Sequence, residues 1–172
     1  MFEDPTDNDI FVIRKMLGRP PRGLLKIAGR CKCGNPIIAI VTHTLDDGTP
    51  FPTTFYLVLP ALVKAVSTLE AEHYMEEMND HILDYDLETA HKNYIESRIQ
   101  ICKNTDNPHL ENISAGGMPT HIKCLHSLIG QTVACGKGAN LAGDEVMSKL
   151  NELKMWSFEK CSCKIKYDEW GD

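Results

Sequence analysis

An α+β fold, with a small antiparallel sheet of about three strands (residues 24–59) covered by four to five helices, follows from three observations. Leu24–Arg30, Ile37–Leu45 and Phe51–Leu59 are β-rich runs separated by turn residues. The segments after Pro60 read as helices with identifiable starts and stops. No internal repeat or low-complexity linker interrupts the chain, which reads as a single domain over 1–172 with a C-terminal extension from 155.

In chain order, Asp7 or Asp9 caps a short helix through Leu17, ended by Gly18 and Pro20-Pro21. Cys33-Gly34-Asn35-Pro36 joins the first two strands, and Asp46-Asp47-Gly48 is a hairpin-type turn before the third. Pro60 opens a helix through about Met78, and Leu87–Lys103 forms another. A polar connection, Asn104–Ser114, leads to Gly116-Gly117-Met118-Pro119 and a helix to Cys135, stopped by Gly136. Gly143 or Asp144 begins a last helix to about Lys154.

The 172 residues are enough to bury a core, and 42% hydrophobic with 24% charged residues is ordinary for a soluble globular protein. No run approaches the roughly 18 apolar residues of a membrane span. The start Met1-Phe2-Glu3-Asp4-Pro5 is acidic, unlike a secretory signal. A cytoplasmic protein is expected, whose seven cysteines are thiols or metal ligands rather than bridges.

The net charge of −6 argues against general nucleic-acid binding. Its distribution is uneven: Arg14–Lys32 holds seven basic residues and no acidic one, while Glu70–Glu96 holds nine carboxylates and one lysine. The two segments read either as solvated faces of opposite sign or as an anion site on the basic one. In Gly18-Arg19-Pro20-Pro21-Arg22-Gly23 the prolines stiffen a loop presenting two guanidinium forks. Arg19, Arg22 and Arg30 are therefore candidate anion ligands for an anionic small molecule or an acidic partner. On the Leu87–Lys103 helix, His91, Tyr94, Arg98 and Cys102 share a face with Leu87, Ile95 and Ile101. Such a face is either a half-buried pocket wall with an acid/base and a cation, or a snorkelling arginine over the core edge.

Gly116–His126 concentrates the chemistry: a glycine pair and a proline lead into a helix start with His121, Cys124 and His126. Cys124 and His126 would diverge in mid-helix and converge only if the first turn is irregular. Cys31-Lys32-Cys33 sits at a turn, where two thiolates can be presented together. With Cys124 and His126 it makes four soft ligands, the count a closed zinc site needs. The same ligands could hold an iron–sulfur cluster. Cys161, Cys163, Ile165 and Tyr167 alternate at strand period, so this second Cys-x-Cys pair reads first as the apolar face of an edge strand, the alternative being that it joins the metal site.

Gly18-Arg19-x-Pro21-Arg22-Gly23, Arg30-Cys31-x-Cys33-Gly34-x-Pro36 and Leu45-x-Asp47-Gly48-Thr49-Pro50-Phe51-Pro52-Thr53 resemble a bacterial family, domain-of-unknown-function family 501. So do Ser67-x-Leu69-Glu70-Ala71, Ala90-His91-x-x-Tyr94, Gly116-Gly117-Met118-Pro119, Lys123-Cys124-Leu125-His126 and Asn140-x-x-Gly143-Asp144. The resemblance covers about residues 9–150. It implies a bacterial protein, carries no assigned activity, and places Cys31, Cys33, Cys124, His126 and His91 on recurrent family positions. The tail from Trp156, with Cys161 and Cys163, lies outside that pattern.

Three readings compete at this point. The first is a metal site, zinc before iron–sulfur, from Cys31, Cys33, Cys124 and His126, with Arg19, Arg22, His91, Tyr94 and Arg98 binding an anion nearby. The second is a metal-free thiol enzyme with Cys124 as nucleophile and His121 or His91 as base. The third is a non-enzymatic module that docks a phosphate-rich ligand or acidic partner on Arg14–Lys32.

Overall fold

Among the described residues four antiparallel strands, one more than expected, lie side by side in sequence order: β1 (Phe2–Glu3), β2 (Leu24–Arg30), β3 (Pro36–Val41) and β4 (Phe55–Leu57). The computed structural model describes residues 2–102 and 108–171. β1 pairs Phe2 with Ala28 and Glu3 with Ile27; two residues are too few to show alternation in the sequence. β3, Pro-Ile-Ile-Ala-Ile-Val, is buried at every position. Because neighbouring side chains of a strand point to opposite faces, both faces of the sheet must be covered there.

One face is covered by α1 (Asp7–Leu17), whose Ile13 packs with Ile27, Ala39, Val41 and Val58. Thr6, one residue before the expected cap, caps α1 in a reciprocal box with Asp9. The other face carries Ala28, Ile38, Ile40, Phe55 and Leu57 into the main core. There the chain lays down α2 (Pro60–Ala71), α3 (Tyr74–His81), α4 (Asp84–Cys102), α5 (Leu125–Cys135) and α6 (Leu141–Glu152). The helix expected from Pro60 to Met78 is broken because His73 adopts a left-handed conformation, φ 63°. α6 begins earlier than expected, capped by Asn140 through the Gly143 N–H. Residues 104–107 of the polar connection, and Lys103 of the expected α4 end, lie outside the described residues.

α5 is the central helix, and Gly130 is what lets it sit on the sheet. A Cβ at Gly130 would lie 2.2 Å from the Phe55 carbonyl oxygen, so only glycine permits this approach. Its buried Gln131 is satisfied, donating to Ala90 O (2.9 Å) and accepting from Asn140 Nδ2 (2.9 Å). None of the described helices is long and apolar enough to cross a membrane.

Candidate functional site

Cys31 and Cys33 leave the end of β2 in a tight turn, closed by Gly34 N–H to Cys31 O (2.8 Å) and Cys31 N–H to Asn35 O (2.9 Å). Their partners come from the segment after α6. The sulfurs of Cys31, Cys33, Cys161 and Cys163 all lie within 4.8 Å of one another, and Cys31 and Cys163 are 3.6 Å apart. Residues 161–163 form no strand, so the expected edge-strand face is replaced by a loop turned onto these thiols. Buried Asn35 fixes that loop from both sides: Nδ2 donates to Ile165 O (2.8 Å) and Oδ1 accepts from Trp170 Nε1 (2.9 Å). Lys166 Nζ approaches Cys161 Sγ at 3.2 Å and Cys163 O at 2.9 Å. The Cys163 backbone and Lys166 pull the Cys161 thiol down to about 6, whereas burial pushes Cys31 and Cys163 up.

The predicted set of Cys31, Cys33, Cys124 and His126 is therefore divided between two places. Cys124 is not helical: it is the N-cap of α5, with extended φ −156° and ψ 114°, which is the irregular start that lets it meet His126. Asn79 of α3 holds the approach by pairing with both backbone groups of Ile122, N–H to Oδ1 (2.7 Å) and Nδ2 to O (3.0 Å). Cys124 Sγ lies 3.9 Å from His126 Nδ1, and Glu70 Oε1 of α2 lies 3.1 Å from that same nitrogen. Glu70 Oε1 also accepts the Leu125 N–H (2.7 Å), replacing the helix cap that the Cys124 side chain does not supply. Ser67 Oγ stands 3.3 Å from His126 Nε2. Cys124 and then Glu70 raise His126 to about 8 against its burial. Burial works against ionising Cys124, yet His126 and Ser127 bring it below an ordinary thiol.

The remaining predicted residues disperse. Tyr94 is fully buried: its hydroxyl accepts from Thr54 N–H (2.7 Å) and donates to Pro52 O (3.0 Å), and burial raises it to about 12. His91 Nδ1 pairs with Ser114 Oγ (2.9 Å), and burial with the Arg98 charge lowers it. Neither joins the Cys124 group. His121, the other candidate base, precedes α5 and is exposed beside Thr120, sharing no helical turn with Cys124. Arg98 is buried and donates through Nη2 to Leu110 O, with its buried Nη1 left without a hydrogen-bond partner among the described residues. Arg30 is held by Asp9 and Glu3. Arg19 and Arg22 are exposed, with no ion pair among the described residues, at the rim of a cleft of about 260 Å³ lined by Leu17, Val41, Phe51 and Tyr56. The basic segment is balanced partly by the N-terminal acids, Lys26 on Asp4 and Arg30 on Glu3 and Asp9, not by Glu70–Glu96.

Sequence reasoning passed over Glu70 and read Cys161 and Cys163 first as an edge-strand face. The matching Cys-x-Cys spacing was a signal for the cysteine pair; Glu70 offered none beyond its place in the Ser67–Ala71 motif.

These features define an α+β protein with a four-cysteine group able to bind a metal ion. The chain belongs to the family described as Protein of unknown function (DUF501), matched over residues 27–148. Cys31, Cys33, Glu70, Cys124 and His126 fall within that span, and Cys161 and Cys163 beyond it. No curated protein and no solved structure matches the chain.

Proposed function

We propose that this is a cytoplasmic zinc protein in which Cys31, Cys33, Cys161 and Cys163 form a closed structural centre pinning the segment after α6 to the β2–β3 turn. The convergence of four sulfurs supports it. Tetrahedral zinc with Zn–S of about 2.3 Å needs sulfurs about 3.8 Å apart, and Cys31 and Cys163 are 3.6 Å apart. Sulfurs all within 4.8 Å suit one ion better than a cluster of several irons. Lys166 offsets part of the excess negative charge that four thiolates leave on zinc. The seven unbridged cysteines suit a reducing compartment.

The test is metal content of protein purified without oxygen or a histidine tag. Loss of one zinc equivalent in Cys33→Ser and in Cys161→Ser is expected. Retention in both variants, or brown protein with iron and sulfide, would remove the reading.

The cleft bearing Arg19 and Arg22 favours a second role, binding an anion with an apolar body: the guanidinium groups take the charge and Phe51, Tyr56 and Val41 the body. The fluorescent anion anilinonaphthalene sulfonate should bind here, more weakly at high salt and about tenfold more weakly in Arg19→Ala/Arg22→Ala. Unchanged binding in that variant would exclude the cleft.

A further inference from the structure

The three groups at the start of α5 are arranged around a single point. Cys124 Sγ and Glu70 Oε1 both face His126 Nδ1, at 3.9 and 3.1 Å, and the three atoms lie within 4.8 Å of one another. A nucleophilic triad is built differently: the thiol or hydroxyl takes one ring nitrogen and the carboxylate the other. Here the other nitrogen, Nε2, is turned to Ser67. One proton on Nδ1 can bridge to the sulfur or to the carboxylate, so the imidazole serves only one of them at a time. A divalent cation between them satisfies all three.

We infer that Glu70, Cys124 and His126 form a second metal site, independent of the four-cysteine centre, that holds zinc or a similar divalent ion through three ligands with a fourth position open. Zinc bonds of about 2.0–2.3 Å to N, O and S set tetrahedral edges of about 3.4 Å for N···O and 3.6 Å for S···N. The observed pairs fall on either side of those edges, so small side-chain shifts close the site. Its supports are already in place. Ser67 opposite Nε2 can accept its proton, the tautomer that leaves the Nδ1 lone pair facing the ion, and the Leu125 N–H orients the Glu70 carboxylate. Asn79, clamping Ile122, holds Cys124 outside the helix.

Three protein ligands with an open fourth position characterise catalytic zinc, whereas four-thiolate sites are structural. The side chains of His126 and Glu70 are 25% and 24% exposed, so water or a substrate oxygen can reach the ion. The ligand chemistry is thus a hydrolysable or carbonyl-bearing molecule whose oxygen the metal would polarise.

Zinc binding to the full chain tests the site. Two equivalents are expected, one removed by a mild chelator. Glu70→Gln, which keeps an acceptor for Leu125, and Cys124→Ser should each leave one equivalent, and Ser67→Ala should weaken the labile ion about tenfold. Cobalt(II) at the labile position should show a thiolate charge-transfer band that Cys124→Ser abolishes. A single ion lost in Cys124→Ser but kept in Cys33→Ser would uphold this site and overturn the four-cysteine one. Zinc stoichiometry unchanged by both Cys124→Ser and Glu70→Gln would overturn the inference.

Discussion

Asp9 and Arg30 form a two-pronged ion pair between α1 and β2, Oδ1 to Nη1 at 2.7 Å and Oδ2 to Nη2 at 3.0 Å, with the Asp9 side chain wholly inaccessible. The same guanidinium reaches Glu3 beside it and Gly34 O in the thiol-bearing turn. Arg30 thus ties strand edge, helix and turn together.

The pair makes stability depend on pH. Burial pushes Asp9 up, but the Arg30 guanidinium and Thr6 together hold it at about 2. The folded value lies below the unfolded one of about 3.9. The stabilisation is therefore complete above about pH 4 and fades as pH falls toward 2. Asp9→Asn should lose about 3 kcal/mol at pH 7, and its deficit should shrink between pH 4 and 2 in urea titrations.

Asn35 is expected to govern whether the tail stays docked. Asn35→Ala removes the part-buried hydrogen bonds to Ile165 and Trp170, costing about 2 kcal/mol for the two together. Limited proteolysis should then cut after α6 many times faster, and chelation of the wild type should give the same cleavage pattern. An unchanged pattern in both would mean the tail is held by something else.

Gly130→Ala tests the closeness of helix and sheet. Its new methyl meets the Phe55 carbonyl, backbone that cannot swing aside, so a loss of about 1–3 kcal/mol in thermal or urea unfolding is expected.

Tyr94→Phe isolates a structural from a catalytic hydroxyl. It leaves Thr54 N–H only its longer contact to Pro52 O (3.1 Å) while keeping the edge-to-face ring contact with Phe55 (5.0 Å between centroids). The expected loss is about 1–3 kcal/mol of stability, with zinc stoichiometry unchanged by direct metal analysis.

The strand runs were legible because Ile37–Val41 and Phe55–Leu57 are apolar segments punctuated by Gly, Asn and Pro. β1 was not, since Phe2 and Glu3 are strand only by pairing with β2. The thiols were recognisable as chemistry, but their pairing was not. Local spacing cannot place Cys124, because Glu70 and Asn79, more than 40 residues earlier, hold residues 121–124 out of the helix. Likewise the mixed face of α4 could not reveal that Tyr94 spends its hydroxyl on the backbone at residues 52 and 54.

Cys31 and Cys163 stand 132 positions apart in the chain, which sets an order of assembly. During synthesis the first thiol pair emerges and must wait, exposed to any available metal or oxidant, until most of the protein has been made. Closing so long a loop is only slightly costlier than closing a short one, so delay rather than entropy is the hazard. Glu70, Cys124 and His126 are complete earlier, and a nascent chain could meet its first metal ion there.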